Sequence, residues 1–199
     1  MQTTFGINEI SEIVKIKISS KSCRELFEGC SLKYILKVCH GRCCSAPAME
    51  LGFAVVVLQE ELAVIQSHGG VVINNVLQPK PGEKRCPFFS DNGLCNLHES
   101  GNKPYGCWLS PFTINKNNTL VIKNRNRMLK CYQDESVAKT PAYIAYRKSL
   151  DMMFGEEESA KICQKLDDGS GDFYADMPRI NWEKVVTIRN THHKVVLKK

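Results

Sequence analysis

The fold class this sequence predicts is α+β, a small single domain, and three observations carry it. The stretches 141–154 (PAYIAYRKSLDMMF) and 156–166 (EEESAKICQKL) space their apolar residues as helices do. FTINKNNTLVIKN, 112–124, alternates apolar and polar residues about Asn117 and Asn118, as a β-hairpin does. Between 86 and 112 the chain is crowded with turn formers (Asp91, Asn92, Gly93, Gly101, Pro104, Gly106, Pro111) and has too few periodic apolar residues for a core of its own. Its three cysteines, Cys86, Cys95 and Cys107, are the available means of organising it. The expected architecture is therefore turn-rich central loops around a cysteine-ligated metal centre, with helices on both sides and a β-hairpin.

Taken in order, the elements begin with a capping box, Ser22 and Glu25, and a helix that places Cys23, Leu26, Phe27 and Cys30 on one face. Cys23 and Cys30 then read as packed thiols, since free cysteine behaves as a small hydrophobe. A second helix should start near Gln59 and end at Gly69 and Gly70. VVINNVLQPKPGEK, 71–84, reads as a short strand entering a Pro- and Gly-punctuated loop. Pro141 suits a helical first turn and Gly155 the break between two helices, on the second of which Cys163 faces the core. From Asp167 to Asp176 the chain turns acidic and reads as a linker. The domain expectation is a cysteine-cluster metal-binding domain over 1–166, with its motif core at 36–131, and a linker and basic tail over 167–199.

The chain of 199 residues is long enough to bury a real core without cross-links. Its first twenty residues have neither a basic n-region nor an apolar h-region. The longest apolar run, LGFAVVVL at 51–58, falls far short of the ~20 residues that span a bilayer. The expectation is a cytoplasmic protein with no membrane partner, in which ten cysteines are reduced and serve metal binding or catalysis rather than disulfides. Five disulfides are the alternative that the even count allows.

A metal site needs deprotonated ligands converging from fixed positions. CHGRCC supplies Cys39, Cys43 and Cys44 from one tight turn, with Gly41 giving the conformational freedom that turn requires. Cys86, Cys95 and Cys107 supply three more, and Cys131 a seventh. Seven thiols exceed the four ligands of one tetrahedral zinc or one simple iron–sulfur cluster. That surplus favours iron over zinc. His98, three residues after Cys95, is a candidate nitrogen ligand, and His40 a weaker one. A nucleophilic Cys107 or Cys44 beside His98 or His40 is conceivable, but one nucleophile does not explain the cluster. P-loop, GxGxxG, HExxH and GxSxG motifs are missing from the sequence.

The order CHGRCC (39–44), an apolar strand into QEELA (59–63), CPFF-DNGLCNLH (86–98) and KPYGCWLSPF (103–112) resembles the YkgJ-type cysteine-cluster family, also described as CxxCxxCC, over residues 36 to 131. Its members are regarded as zinc- or iron-chelating, and a related cluster occurs in flagellin lysine methylases. The resemblance implies metal binding through Cys39, Cys43, Cys44, Cys86, Cys95 and Cys107, with Cys131 where a late cysteine often follows. The family's additional cysteine before the first block is replaced here by Leu36.

The leading expectation is thus a metal-binding protein with a zinc or iron–sulfur centre. One alternative is a metal-dependent enzyme modifying a protein or nucleic acid. Another is a zinc-stapled nucleic-acid-binding module that uses the basic stretches Lys123–Lys130, with Arg125 and Arg127, and Lys194–Lys199 on phosphate. Phe88, Phe89, Trp108 and Phe112 read as an apolar shell around the centre, and Tyr143 and Tyr146 as core or rim.

Overall fold

The structure, a computed structural model, describes residues 12–45, 54–98 and 100–196, with side chains as far as His192. Its main sheet starts at β1 (Ile13–Ile18), whose sequence IVKIKI buries Ile16 and Ile18 completely and turns Lys15 and Lys17 outward. β2 (Phe112–Ile114) and β3 (Thr119–Ile122) form the hairpin expected about Asn117 and Asn118, and Asn118 adopts the left-handed φ of 50° that closes it. β4 (Phe173–Pro178) buries Ala175 and Met177 and exposes Tyr174. The strand order is β2-β3-β1-β4, with β1 parallel to β3 (Ile18 opposite Leu120) and antiparallel to β4 along its whole length. On the outer face Lys15 pairs with Asp176 and Lys17 with Asp172.

Helices α1 (Arg147–Phe154), α2 (Glu156–Asp167) and α3 (Arg179–Val196) pack over the apolar side of this sheet. Leu150, Met153, Ile162, Leu166, Val185 and Ile188 meet Ile16, Phe112, Leu120 and Met177 in the principal core. A second, smaller apolar cluster lies apart from it and gathers Val55, Val57, Ile65, Leu77, Cys86, Phe88 and Leu97. No described helix is long and apolar enough to cross a membrane.

Three local expectations change. The helix read from Ser22 and Glu25 is one turn, Ser20–Cys23, capped by Ser19. Glu25 is drawn away into a two-point ion pair with Arg127 (2.5 and 2.7 Å), and Leu26–Phe27 pair as a short strand with Thr140–Pro141. The strand read at 71–84 is a tight hairpin, Val72–Ile73 against Val76–Leu77, because Asn74 and Asn75 both take positive φ. The stretch read as a linker from Asp167 runs into β4. The helix near Gln59 forms as expected, a 3₁₀ turn Gln59–Glu61 leading into Leu62–Ser67, with Gly69 at φ 81° after it.

Leu120, fully buried at the centre of the sheet, should cost about 2–5 kcal/mol on replacement by alanine. Leu26, half exposed, should cost less than about 0.5 kcal/mol. Urea unfolding midpoints of the two variants test the assignment of the core.

Candidate functional site

The cysteine loops meet because two glycines let their backbones touch. Cys39 closes a π-helical turn, Ile35–Cys39, after which His40 (φ 47°) and Gly41 (φ 58°) reverse the chain into the turn Arg42–Cys44. The second loop folds back on itself through Ser90 N to Leu94 O and Asn96 N to Phe88 O, both 2.9 Å, which brings Gly93 against this reversal. A Cβ on Gly41 would lie 2.1 Å from the Gly93 carbonyl oxygen, and one on Gly93 would lie 2.8 Å from the His40 carbonyl carbon. Only glycine fits either position. The Cys86 N–H then donates to the Cys44 carbonyl at 3.0 Å and joins the two loops.

A third arm, the single turn Tyr105–Trp108, carries Cys107 and Trp108. Glu61 anchors its start by accepting the N–H groups of Leu58 (2.7 Å) and Tyr105 (2.5 Å). Ser149 on α1 anchors its end, donating to the carbonyls of Trp108 (2.6 Å) and Ser110 (3.2 Å), and the Tyr105 hydroxyl donates to the Met152 carbonyl at 3.1 Å. Cys131 arrives on a fourth arm, the turn Lys130–Gln133.

These arms enclose a cavity of about 360 Å³ at the junction of the two apolar clusters. Six thiols line it: Cys30, Cys39, Cys43, Cys44, Cys107 and Cys131. Its charged lining among the described residues is wholly cationic, namely Arg42, Lys103, Arg125, Lys130 and Lys148, without a carboxylate. Trp108 seats two of these cations, with the ammonium of Lys103 4.8 Å and that of Lys148 4.5 Å from the ring centroid. His98 stacks obliquely on the same indole at 5.2 Å. Asn126, 5% exposed, also faces the cavity, and its buried Oδ1 has no hydrogen-bond partner.

The thiols are protonated at neutral pH. Burial raises Cys107 to about 11 and Cys131 to about 12, and enclosure of the sulfur raises Cys30 to about 11. Cys39 is also pushed up, chiefly by burial. Cys43 sits well above the ordinary thiol range because of its hydrogen bond to Cys44, with desolvation second. The two sulfurs are 3.8 Å apart. The amine of Lys123, which donates to Ser110 Oγ at 3.4 Å, is pushed down to about 7 by burial and by the charge of Arg125.

This arrangement corrects the central expectation. Among the described residues no group of three or more His, Cys, Asp or Glu side chains is placed to hold a metal ion. That finding overturns the expected zinc or iron–sulfur metal-binding function, and with it the metal-dependent enzyme and the zinc-stapled nucleic-acid module. The disulfide alternative falls too, since all ten cysteines are free. Of the expected ligands, Cys39, Cys43, Cys44, Cys107 and Cys131 line the cavity, while Cys86 lies behind Cys44 and Cys95 packs in the smaller cluster. His98 lines the cavity, and His40 is exposed outside it.

Cys30, read as a packed thiol, is instead on the cavity wall with its sulfur 3.8 Å from the Tyr146 hydroxyl. Cys23 is fully buried as expected. The basic stretch Lys123–Lys130 is not a solvated stripe. Arg127 pairs with Glu25, Lys123 and Arg125 are half-buried, and Arg125 lies against His192 at 3.2 and 3.3 Å. The side chains of Lys194–Lys199 lie outside the described residues. No family model, curated protein or solved structure matches the chain.

Two outcomes follow from this geometry. Gly93→Ala should separate the cysteine loops and destabilise the protein by about 2–4 kcal/mol, readable as a lower urea midpoint, whereas Gly82→Ala, with open space around it but a positive φ, should cost only about 1 kcal/mol. Because the folded thiols of Cys107 and Cys131 ionise at about 11 and 12 against about 9 in the unfolded chain, the unfolded state releases protons first as pH rises. Their contribution to stability is complete below pH ~9 and is lost progressively toward pH ~12, which thermal unfolding across that range measures.

Proposed function

We propose that the protein binds a small organic anion in the thiol-lined cavity. The observation that carries this reading is the lining itself, five cations and no described carboxylate around about 360 Å³. Like-charged side chains gathered around one cavity repel one another, and a bound anion relieves that cost. The volume lies in the range of small-molecule sites, and the walls are mainly apolar, from Val55, Val56, Pro111, Leu129 and the indole of Trp108. Protonated thiols add a soft, weakly polar surface that suits the organic body of a ligand better than its charge.

The two lysines held on Trp108 are placed to grip the anionic end. An indole face fixes each ammonium by its quadrupole and leaves its protons free to donate.

The test uses 1-anilinonaphthalene-8-sulfonate as a fluorescent anionic probe and N-phenyl-1-naphthylamine as its neutral counterpart. The anion should bind saturably at one site and weaken as salt rises, and the neutral probe should bind at least about tenfold more weakly. Removing one cation, in Lys103→Gln or Lys148→Gln, should weaken the anion by roughly tenfold, the effect of one charged hydrogen bond. Equal affinity for both probes, or no change in the lysine variants, would remove the proposal.

A further inference from the structure

We infer that Ser110 and Lys123 form a nucleophile–base dyad that hydrolyses a small carboxylic ester held in the cavity. The register of the β2–β3 hairpin brings the two residues together. Phe112 pairs with Ile122, so Ser110, two residues before β2, and Lys123, one residue after β3, leave the hairpin side by side at its open end. The Lys123 N–H donates to the Pro111 carbonyl at 3.0 Å and fixes that end, while the Ser149 hydroxyl on α1 donates to the Ser110 carbonyl at 3.2 Å. The Lys123 amine then lies 3.4 Å from Ser110 Oγ, and Ser110 is part of the cavity wall.

A serine hydroxyl is a weak nucleophile until a base takes its proton, and a lysine serves as that base only when its amine is uncharged. Burial supplies this condition. It brings Lys123 down to about 7, with the charge of Arg125 acting in the same sense and Cys107 in the opposite one, so a large share of the amine is neutral at neutral pH. The 3.4 Å separation is at the looser end of such contacts, as is common before a substrate is bound. Arg125 and Lys148 line the same cavity and supply the positive field in which the oxyanion of the ester adduct develops, the one part of the mechanism that rests on the anion-binding reading.

The reaction balances as two acyl transfers. Ser110 Oγ attacks the carbonyl carbon of RCOOR′ while its proton passes to Lys123 Nζ. The C–OR′ bond breaks, R′OH leaves with the proton returned by Lys123, and the acyl group stays on Ser110. A water then attacks the same carbon and gives a proton to Lys123, the bond from carbon to Ser110 Oγ breaks, and the serine recovers its proton from Lys123 as RCOOH leaves. Ester and water become acid and alcohol, and no electrons change hands.

The experiment treats the reduced, full-length protein with diisopropyl fluorophosphate, a neutral reagent from which an activated serine displaces fluoride, and follows turnover of 4-nitrophenyl acetate alongside. The expected result is one diisopropylphosphoryl group per chain, mapped to Ser110 by fragmentation mass spectrometry, with ester turnover lost in step with labelling. Turnover should rise with pH through about 7 and level off above it, because only the neutral amine accepts the serine proton. Ser110→Ala should abolish the label, and Lys123→Met should slow both reactions at least about 100-fold and remove the inflection; circular dichroism confirms that each variant is folded. A label on a cysteine or another serine, no label at Ser110, turnover that survives labelling, or a pH profile without the inflection would overturn the dyad. These readouts are made on the unaltered protein, so they decide the question even if a variant fails to fold. Both reagents are neutral, so a protein that binds the anionic sulfonate probe and does not label at Ser110 loses the dyad alone.

Discussion

The architecture of the site depends on a backbone contact that admits no side chain. Gly41 and Gly93 lie so close that a single Cβ at either position would overlap the opposite main chain. Everything that follows in the cavity is a consequence of that approach. It brings the turn holding Cys43 and Cys44 beside the loop holding Cys86 and Cys95, and it leaves the space between two apolar clusters only partly filled. Hydrophobic burial explains why each cluster forms, but burial is not directional and does not by itself fix one cluster against the other. Directional links do that, and Glu61 supplies two of them, its carboxylate holding the main chain of Leu58 and of Tyr105 together.

Two electrostatic effects compete at the thiols, and their outcome decides the chemistry. Lys103 lowers the pKa of Cys107 through its charge, yet enclosure of the sulfur outweighs it and leaves the thiol at about 11. The same enclosure acts on the cations in the opposite sense, bringing Lys123 down to about 7 and Arg125 to about 10. Burial therefore disfavours the thiolate of Cys107 and equally the positive charge of Arg125 and of Lys123. Arg125 persists as a cation because a guanidinium starts far above neutrality, whereas thiols start near 9 and remain neutral when shifted upward. A neutral thiol wall beside cations is the expected balance of these two starting points.

Much of this was legible in the sequence, and the gaps have physical causes. The hairpin at 112–124 could be read because its register is set by local alternation and by Asn118. β4 could not, although Phe173, Ala175 and Met177 alternate inward, because its partner β1 lies more than 150 residues away and its glycine-rich, acidic approach resembles a linker. Five of the cavity's cysteines, Cys39, Cys43, Cys44, Cys107 and Cys131, were singled out from their spacing, but as metal ligands, and Cys86 and Cys95 were grouped with them although they do not line the cavity. Cys30 escaped because the helix ends at Cys23 and the chain continues as the strand Leu26–Phe27 before turning at Gly29 and Cys30, both with positive φ, so the face assigned by helical spacing never forms. Asn126 escaped because it sits in a run of basic residues whose charge suggested a surface.

The expectation of a metal centre failed for a reason that applies to any cysteine-rich sequence. Spacing tells which thiols can come near one another, but ligation requires that at least three of them aim at one point and surrender their protons there. In this fold the loops deliver the thiols to the perimeter of a cavity, where the sulfurs have different neighbours: Tyr146 for Cys30 and Cys43 for Cys44. Pairwise contact of neutral sulfurs is the geometry of hydrogen bonding. The identity of the residues is the same in either case, and only the direction in which the backbone presents them separates a ligand set from a thiol-lined pocket.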